Sequence, residues 1–501
     1  MRGGAPRARA LSPSTVLAAL QQRLLVAAQL LLDDAPPADA TPEQTITRLL
    51  PRLIEVCAER GRADARWLLL TAVFGAYPSW DQMMSFTREL ELTGRTQVES
   101  SLLARVIAQP RRGRLDLPMT VLTSGALVDV DFCARYDAHT GIQRVVRETL
   151  PRWDAAHEVH PAAWIDEQTA LRTLSPEERR RVFSHGDGPD ADRDEAGPRL
   201  LVPWKSVLVL PDVPNHKGSS QLAALARFSG SEVTMIGYDM IPITSADTRP
   251  SVDSVTFAQH LTVAKHARRV AGISRSATAE YSGFAQAVRA QGLTGPTVRE
   301  IRLADERPRG VLPGRRPEHR RPVMLCTGTR EPHKNQRAAL HAAERLWSEG
   351  VDLEVRLVGG PGWSDDVLGA AIRRLRAANR PLVDLGRVSD NTLFAELESA
   401  DFVVFASLHE GFGLPVAEAL ACGTPVVTSN FGSQLEIAEG GGCLVVDPRD
   451  DDDLTAAIRR LATVPEELDR LRAESQARPL RSWDEYVTDL WAFLVEGRDP
   501  T

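Results

Sequence analysis

Cysteine is scarce in this chain. The five that occur, at positions 57, 133, 326, 422 and 443, form no CxxC pair and no metal-ligand spacing, and their number is odd. Such a set excludes a disulfide framework and reads as buried thiols in a reducing compartment. A basic excess is missing too. With a net charge of −7 and a pI near 6.0, the chain lacks the basic surface that a general nucleic-acid partner requires. The longest apolar run read from the sequence covers residues 67–77, about half the length a bilayer demands. Arg2, Arg7 and Arg9 precede an apolar helix, but Gln21, Gln22 and Arg23 interrupt it, so the N-terminus does not read as a signal peptide. No Gly-x-Gly fingerprint follows the first strand-like segment, which argues against a dehydrogenase. The expectation is a cytoplasmic protein, with any membrane contact peripheral and at the inner face.

Length, by contrast, is ample. A chain of 501 residues exceeds one core, so two or three domains are expected. Residues 1–115 read as a helical N-terminal extension. Leu17, Leu20, Leu24, Ala27 and Leu31 recur at three- and four-residue steps, one apolar helix face. Thr41-Pro42-Glu43-Gln44 and Ser79-Trp80-Asp81-Gln82 are capping-box starts. Nothing in this region suggests chemistry; its plain reading is a bundle packed on the rest of the chain or on a partner. Residues 116–304 alternate strand and helix patterns, with strands over 127–131, 207–212 and 233–239 and a helix from Ile142. A charged, Pro/Gly-rich insertion interrupts them over 166–200. Residues 305–322 hold six arginines and four prolines and read as a linker. A second α/β domain follows over 323–478, and residues 479–501 form a last helix expected to cross back onto the first domain.

The chain is organised around His409-Glu410-Gly411-Phe412-Gly413-Leu414-Pro415-Val416-Ala417-Glu418. The apolar run over 402–406 before it reads as a buried parallel strand. Helix-forming residues after it stop at Gly423, with Pro425 beyond. Pro415 suits a first helical position. The amides of Phe412, Gly413 and Leu414 would then lie unpaired at the positive end of a helix dipole, ready for an anion. Gly411 and Gly413, without a Cβ, would let a ligand approach the backbone. Glu418 would lean back toward the same place. Phosphate on amides and hydroxyls on two carboxylates suit a sugar nucleotide; the plainer alternative is a glycine-rich turn with solvated glutamates.

The whole stretch resembles the Glu-x7-Glu signature of retaining GT-B glycosyltransferases of family 4, the group that includes glycogen-synthase-like and mannosyltransferase enzymes. Further segments resemble the same family, among them Val270-Ala271-Gly272-Ile273-Ser274 with its serine after Ile273. Thr140-Gly141-Ile142-Gln143-Arg144-Val145 resembles a first βα loop, where Gly141 would approach the donor diphosphate. Tyr238-Asp239-Met240-Ile241-Pro242 resembles a loop usually read His-Asp-Leu-Ile-Pro, with Tyr238 standing where many members carry His. Gly328-Thr329-Arg330-Glu331-Pro332-His333-Lys334-Asn335 resembles Gly-Thr-Ile-Glu-Pro-Arg-Lys-Asn. Lys334 would meet the diphosphate, and Arg330 follows a position, Thr329, where many members carry Arg. Gly386-Arg387-Val388 resembles the loop beside the nucleobase. Ser433-Gln434-Leu435-Glu436 resembles Leu-Pro-Glu, with Leu435 replacing Pro.

The resemblance implies a GT-B fold: two Rossmann-like domains facing across a cleft, here behind a helical region. It implies an enzyme that moves a hexose, on a mannose-like guess, from a nucleotide-diphosphate sugar to a glycan or lipid-linked acceptor in surface polysaccharide synthesis. Glu410 and Asp239 are the catalytic candidates. Gly141, Arg330, Lys334, Val388, Glu410, Gly411, Phe412, Gly413, Leu414 and Glu418 are the donor-binding candidates. No cofactor and no metal are implied. Asp129-Val130-Asp131 alternates along a strand, and residues 450–453 precede a helix whose dipole favours negative charge. Two other readings stay open: a sugar-nucleotide epimerase of the same fold, and a non-catalytic sugar-nucleotide-binding module acting through its helical extension.

Overall fold

A computed structural model describes residues 12–33, 41–108, 113–136, 140–165, 167–183, 197–307, 321–364 and 366–499. Part of the insertion and most of the linker read from the sequence, residues 184–196 and 308–320, lie outside the described residues. The architecture is mixed α/β with two largely parallel sheets, as expected. The strands are β1 Met119–Leu122, β2 Ala126–Asp129, β3 Val159–Trp164, β4 Leu171–Thr173, β5 Leu200–Pro203, β6 Val207–Leu210, β7 Glu232–Gly237, β8 Arg269–Gly272 and β9 Thr297–Glu300. A second series comprises β10 Val323–Thr327, β11 Glu354–Val358, β12 Leu382–Gly386, β13 Phe402–Phe405, β14 Val426–Ser429 and β15 Cys443–Val446.

The described chain divides into two compact units. One runs through Met235 and adds Gln259–Val270 and Val288–Thr297; the other comprises Ile236–Ala258, Ala271–Ala287 and Val298–Thr501.

Among the described residues the first unit holds five helices before its first strand. Thr41 and Ser79 each close a capping box, with Gln44 and Gln82 at the third helical position. These helices share buried contacts with the strands that follow. Helix Pro13–Leu31 turns Ala19, Leu20, Leu24, Ala27 and Ala28 inward, around a buried Arg23. Among the described residues it is the one helix with the length and hydropathy of a membrane span; the run over 67–77 lies instead mostly in the buried helix Ala63–Phe74. The Arg23 guanidinium donates to the carbonyls of Ala72 at 2.6 Å, Leu115 at 2.9 Å and Leu117 at 2.6 Å. Burial pulls its pKa down to about 10, against the opposing charge of Asp116. One residue earlier, the Gln22 amide accepts from Met119 N–H at 2.8 Å and donates to Met119 C=O at 2.9 Å. Strand β1 is the end strand of its sheet, so this side chain satisfies an edge that would otherwise invite another strand.

β2 pairs in parallel with both β3 and β6, whereas β4 runs antiparallel to β3 and β5. β2 stops at Asp129, and Asp131 begins the short helix Asp131–Arg135. The Asp129-Val130-Asp131 run therefore does not alternate along one strand.

The second unit carries the six-stranded sheet in the order β12-β11-β10-β13-β14-β15, with every pairing parallel. Counted from its own first strand this is the order 3-2-1-4-5-6 of a doubly wound nucleotide-binding sheet. β10, β13 and β14 are buried along their whole length, as in a parallel sheet covered on both faces. Asp450 caps helix Asp451–Thr463 through the amides of Asp452 and Asp453, which accounts for that acidic string.

Replacing Arg23 by Leu leaves three buried carbonyls without a donor. A loss of about 3 kcal/mol is expected at the cost typical of unsatisfied buried groups, seen as an earlier denaturation midpoint. A midpoint unchanged from wild type would show that Arg23 does not tie the helices to the strands.

Candidate functional site

In a doubly wound sheet, loops diverge at the point where strand order reverses and leave a crevice at the carboxyl ends. Here that point lies between β10 and β13. Lys334 leaves the loop after β10, in a 3-10 turn Pro332–Lys334, and Glu410 leaves the loop after β13. They meet. Lys334 Nζ lies 2.7 and 2.9 Å from the two Glu410 carboxylate oxygens and 5.5 Å from the centre of the Phe405 ring. The side chains are 19% and 10% exposed, enough shielding to strengthen the attraction well beyond its value in water. Asn335, with φ at 54°, ties its loop to Ala406 C=O beyond β13 at 3.2 Å and to Pro448 C=O beyond β15 at 2.8 Å.

The turn carrying Glu410 is braced from several directions. Ser433 Oγ donates to the Glu410 carbonyl at 2.8 Å, and Gln434 Nε2 to the Ser407 carbonyl at 3.0 Å. Ser274 Oγ donates to the Gly411 carbonyl at 2.7 Å. A Cβ on Gly411 would stand 2.2 Å from the Tyr238 carbonyl oxygen. The space that the sequence reading reserved for a ligand at Gly411 is thus taken by the chain's own backbone. Gly413 has a different reason to be glycine: its φ of 100° is one that L side chains rarely adopt. It caps helix Leu414–Ala421, in which Pro415 is the second residue rather than the first. Among the described residues the amides of Phe412, Gly413 and Leu414 find no acceptor. Glu418 is buried on this helix.

Beside Glu410 lies a second charged group of residues. His409 Nδ1 is 2.8 Å from Ser245 Oγ, and Nε2 is 3.3 Å from Glu280 Oε1. Burial alone would lower the His409 pKa, but the bond to Glu280 and the charges of Glu280, Asp239 and Glu410 outweigh it and raise it. Burial opposes ionisation of Glu280, yet bonds from His409, Met240 N–H and Thr244 hold its carboxyl below the ordinary range. Asp239 accepts from Ile241 N–H at 3.0 Å. Burial, with Glu280 and Glu410 nearby, pushes its carboxyl up to about 6. His333 is driven down to about 4, first by burial and then by Lys334.

Residues 314–478 match the family model described as glycosyl transferases group 1. The second unit carries a glycosyl transferases group 1 domain. Over 388 residues the chain is 27% identical to a serotype-specific mannosyltransferase WbdA of Escherichia coli, covering 71% of this chain and 45% of that protein. Over 135 residues it is 41% identical to the O-antigen chain mannosyltransferase B of Escherichia coli, covering 27% of this chain and 35% of that protein. The chain spans about half the length of the WbdA relatives it matches. A sucrose-phosphate synthase from Thermosynechococcus elongatus shares the fold, with a TM-score of 0.51 at 16% identity over 74% of this chain and 97% of that one. The fold is therefore of the GT-B class, behind a helical N-terminal region.

Within the group 1 domain, Arg330 is engaged by Asp384 of β12, and its neighbour Thr329 is exposed. Val388 is half-buried just beyond β12. Glu436 accepts from the amides of Arg275 at 2.9 Å and Ser276 at 2.7 Å, at the start of helix Arg275–Arg289. Sequence reasoning had singled out Glu410, Lys334 and Asp239 but had given no role to His409, Glu280, Ser245 or the Ser274 hydroxyl. Only Ser274 had a signal, as the serine after Ile273 in a family element.

Gly141 stands in the first unit, as the first residue of helix Gly141–Ala156 with Thr140 at the N-cap. Close by in that unit, Gln143 donates to Asp212 at 3.2 Å, and Trp164 Nε1 donates to Asp129 at 2.7 Å. Burial pushes Asp129 up to about 7, helped by Asp131, and Asp212 up to about 6. Asp129 and Asp212 follow or end the adjacent strands β2 and β6, a second strand-order reversal.

Substituting Gly411 by Ala forces its methyl into the Tyr238 carbonyl. Overpacking of this kind typically costs about 1–3 kcal/mol. A lower melting temperature with unchanged circular dichroism is the expected result; an unchanged melt would mean the turn has slack.

Proposed function

We propose that this chain is a retaining glycosyltransferase. It moves a hexose, with mannose the first candidate, from a nucleotide-diphosphate sugar to a glycan or lipid-linked acceptor in surface polysaccharide synthesis. The observation that carries this reading is the Lys334–Glu410 pair at the strand-order reversal, next to three amides that find no acceptor among the described residues. Cation, carboxylate and helix amides together match a sugar diphosphate: Lys334 and the amides of Phe412, Gly413 and Leu414 take the phosphates, and Glu410 takes sugar hydroxyls. Glu418 takes the ribose, with Val388 beside the base. Arg330 contributes through its pair with Asp384. Negative charge grows on the leaving diphosphate in the transition state, and donors already in place there lower the barrier. Asp239, pushed to about 6, has a proton affinity suited to exchange near neutral pH. Gly141 heads a helix of the same amide-presenting kind in the first unit. The mannosyltransferase names of the relatives support the choice of sugar. A cytoplasmic location, with peripheral contact at the inner membrane face, fits a lipid-linked acceptor.

A thermal-shift panel of UDP, GDP and ADP sugars identifies the donor, because a ligand of the native state raises stability by mass action. Transfer from the stabilising donor with retention at the anomeric carbon is the expected product. No shift with any nucleotide sugar would refute the proposal.

Lys334→Met removes the phosphate cation and strands the Glu410 carboxylate. Donor binding should weaken by a few kcal/mol, on the order seen for shielded charged pairs, with slower transfer. Wild-type turnover in this variant would reject the phosphate role.

Transfer should persist in EDTA, because Lys334 and fixed amide dipoles supply the counter-charge. Complete loss, restored by Mn²⁺, would reject that assignment.

A further inference from the structure

We propose that His409 is a positioning residue: gripped by Glu280 on one ring nitrogen and Ser245 on the other, its ring locks the turn that aims the Glu410 carboxylate. This rests on the reading of Glu410 as the donor-sugar contact.

The grip is anchored at each step. Glu280 is itself held by Met240 N–H at 2.8 Å and the Thr244 hydroxyl at 3.0 Å. His409 is thereby fastened to helix Arg275–Arg289 and, through Ser245, to the segment after helix Ile241–Thr244. On the other side of Glu410, Gly411 is pressed against Tyr238 C=O and bonded to Ser274. With both neighbours fixed, the two soft backbone dihedrals of Glu410 have little freedom left, so the direction of its Cα–Cβ bond is set, and Lys334 holds the carboxylate at its end. A shift of about 1 Å in such a group can cost on the order of a hundredfold in rate.

The charged and titratable groups facing the ring are Glu280 from its helix, Asp239 from the end of β7, Glu410 from its own loop, and His333 from the turn that holds Lys334. The balance raises the His409 pKa. A group raised on folding stabilises the native state fully below its unfolded value, about 6.5 for imidazole, and the contribution is lost as pH climbs through the higher folded value. Over that window the ring loses its charge, and Glu280 keeps a hydrogen-bond donor but loses its ionic partner.

The test compares wild type with His409→Gln, His409→Ala and Glu280→Gln, by transfer rate between about pH 5.5 and 9 and by NMR titration of the histidine rings. Wild-type kcat is expected to fall on the alkaline side, with a midpoint above the ordinary imidazole range, while KM for donor stays nearly level. His409→Gln can keep both bonds without charge; its rate should be lower but lack that alkaline limb. His409→Ala and Glu280→Gln should lose about ten- to a hundredfold in kcat while still melting cooperatively. In Glu280→Gln the ring that is absent from the His409→Gln spectrum should titrate at a lower pH than in wild type. Wild-type kcat and pH profile in His409→Ala would overturn the inference, as would an unmoved ring titration in Glu280→Gln. Absence of turnover by the wild-type chain with every donor would instead remove the transferase reading, and with it the role on which this one rests.

Discussion

The pair between Lys334 and Glu410 joins two loops whose residues are 76 positions apart. Taking both charges out of water costs several kcal/mol each, and their attraction returns about that much when geometry is good. Such a pair adds little net stability, so its significance lies in placement. It sits where β10 and β13 part, with each group the other's present partner. A ligand offering both anionic phosphate and neutral hydroxyls can satisfy both groups at once, and few other small molecules can. Removing one partner alone leaves a shielded charge uncompensated, which is the expensive case.

A carboxylate balanced this way must not wander, and the turn around it is built accordingly. Ser433, Gln434 and Ser274 hold carbonyls of residues 407, 410 and 411, and Gly411 packs without a side chain against Tyr238. These bonds use the carbonyls of the turn and leave the amides of Phe412, Gly413 and Leu414 unmatched among the described residues. The result is a rigid donor surface at the start of a helix, where an anion is favoured. Rigidity and open hydrogen-bonding capacity thus come from opposite polarities of the same backbone.

The first unit solves different problems. Its end strand β1 is matched by the Gln22 amide, and its helices are fastened by Arg23 to carbonyls that no strand uses. Its raised carboxyls, Asp129 and Asp212, lie at or just beyond the ends of neighbouring strands and owe their shifts to burial first.

Some of this was legible in the chain by itself, and the division has a physical cause. Local rules determined the capping boxes at Thr41 and Ser79, the helix that follows the acidic string at 450–453, and the buried strands read over 323–327 and 402–406. Each depends on hydrogen bonds or dihedrals within a few residues, or on a periodicity that one segment carries alone. The family resemblance added Glu410, Lys334 and Asp239 as a set. What neither settled was who touches whom. Arg330 turned out to be held by Asp384, the space at Gly411 belonged to Tyr238, and His409 met Glu280 and Ser245. Those partners are brought together by strand order and crossovers over tens to hundreds of residues, and a side chain's neighbour across such a distance leaves no mark in local spacing. Residue types and local backbone shape were therefore determined by the sequence directly. The pairing of charges, and with it every shifted pKa at the site, was decided only when the parallel strands set two distant loops side by side.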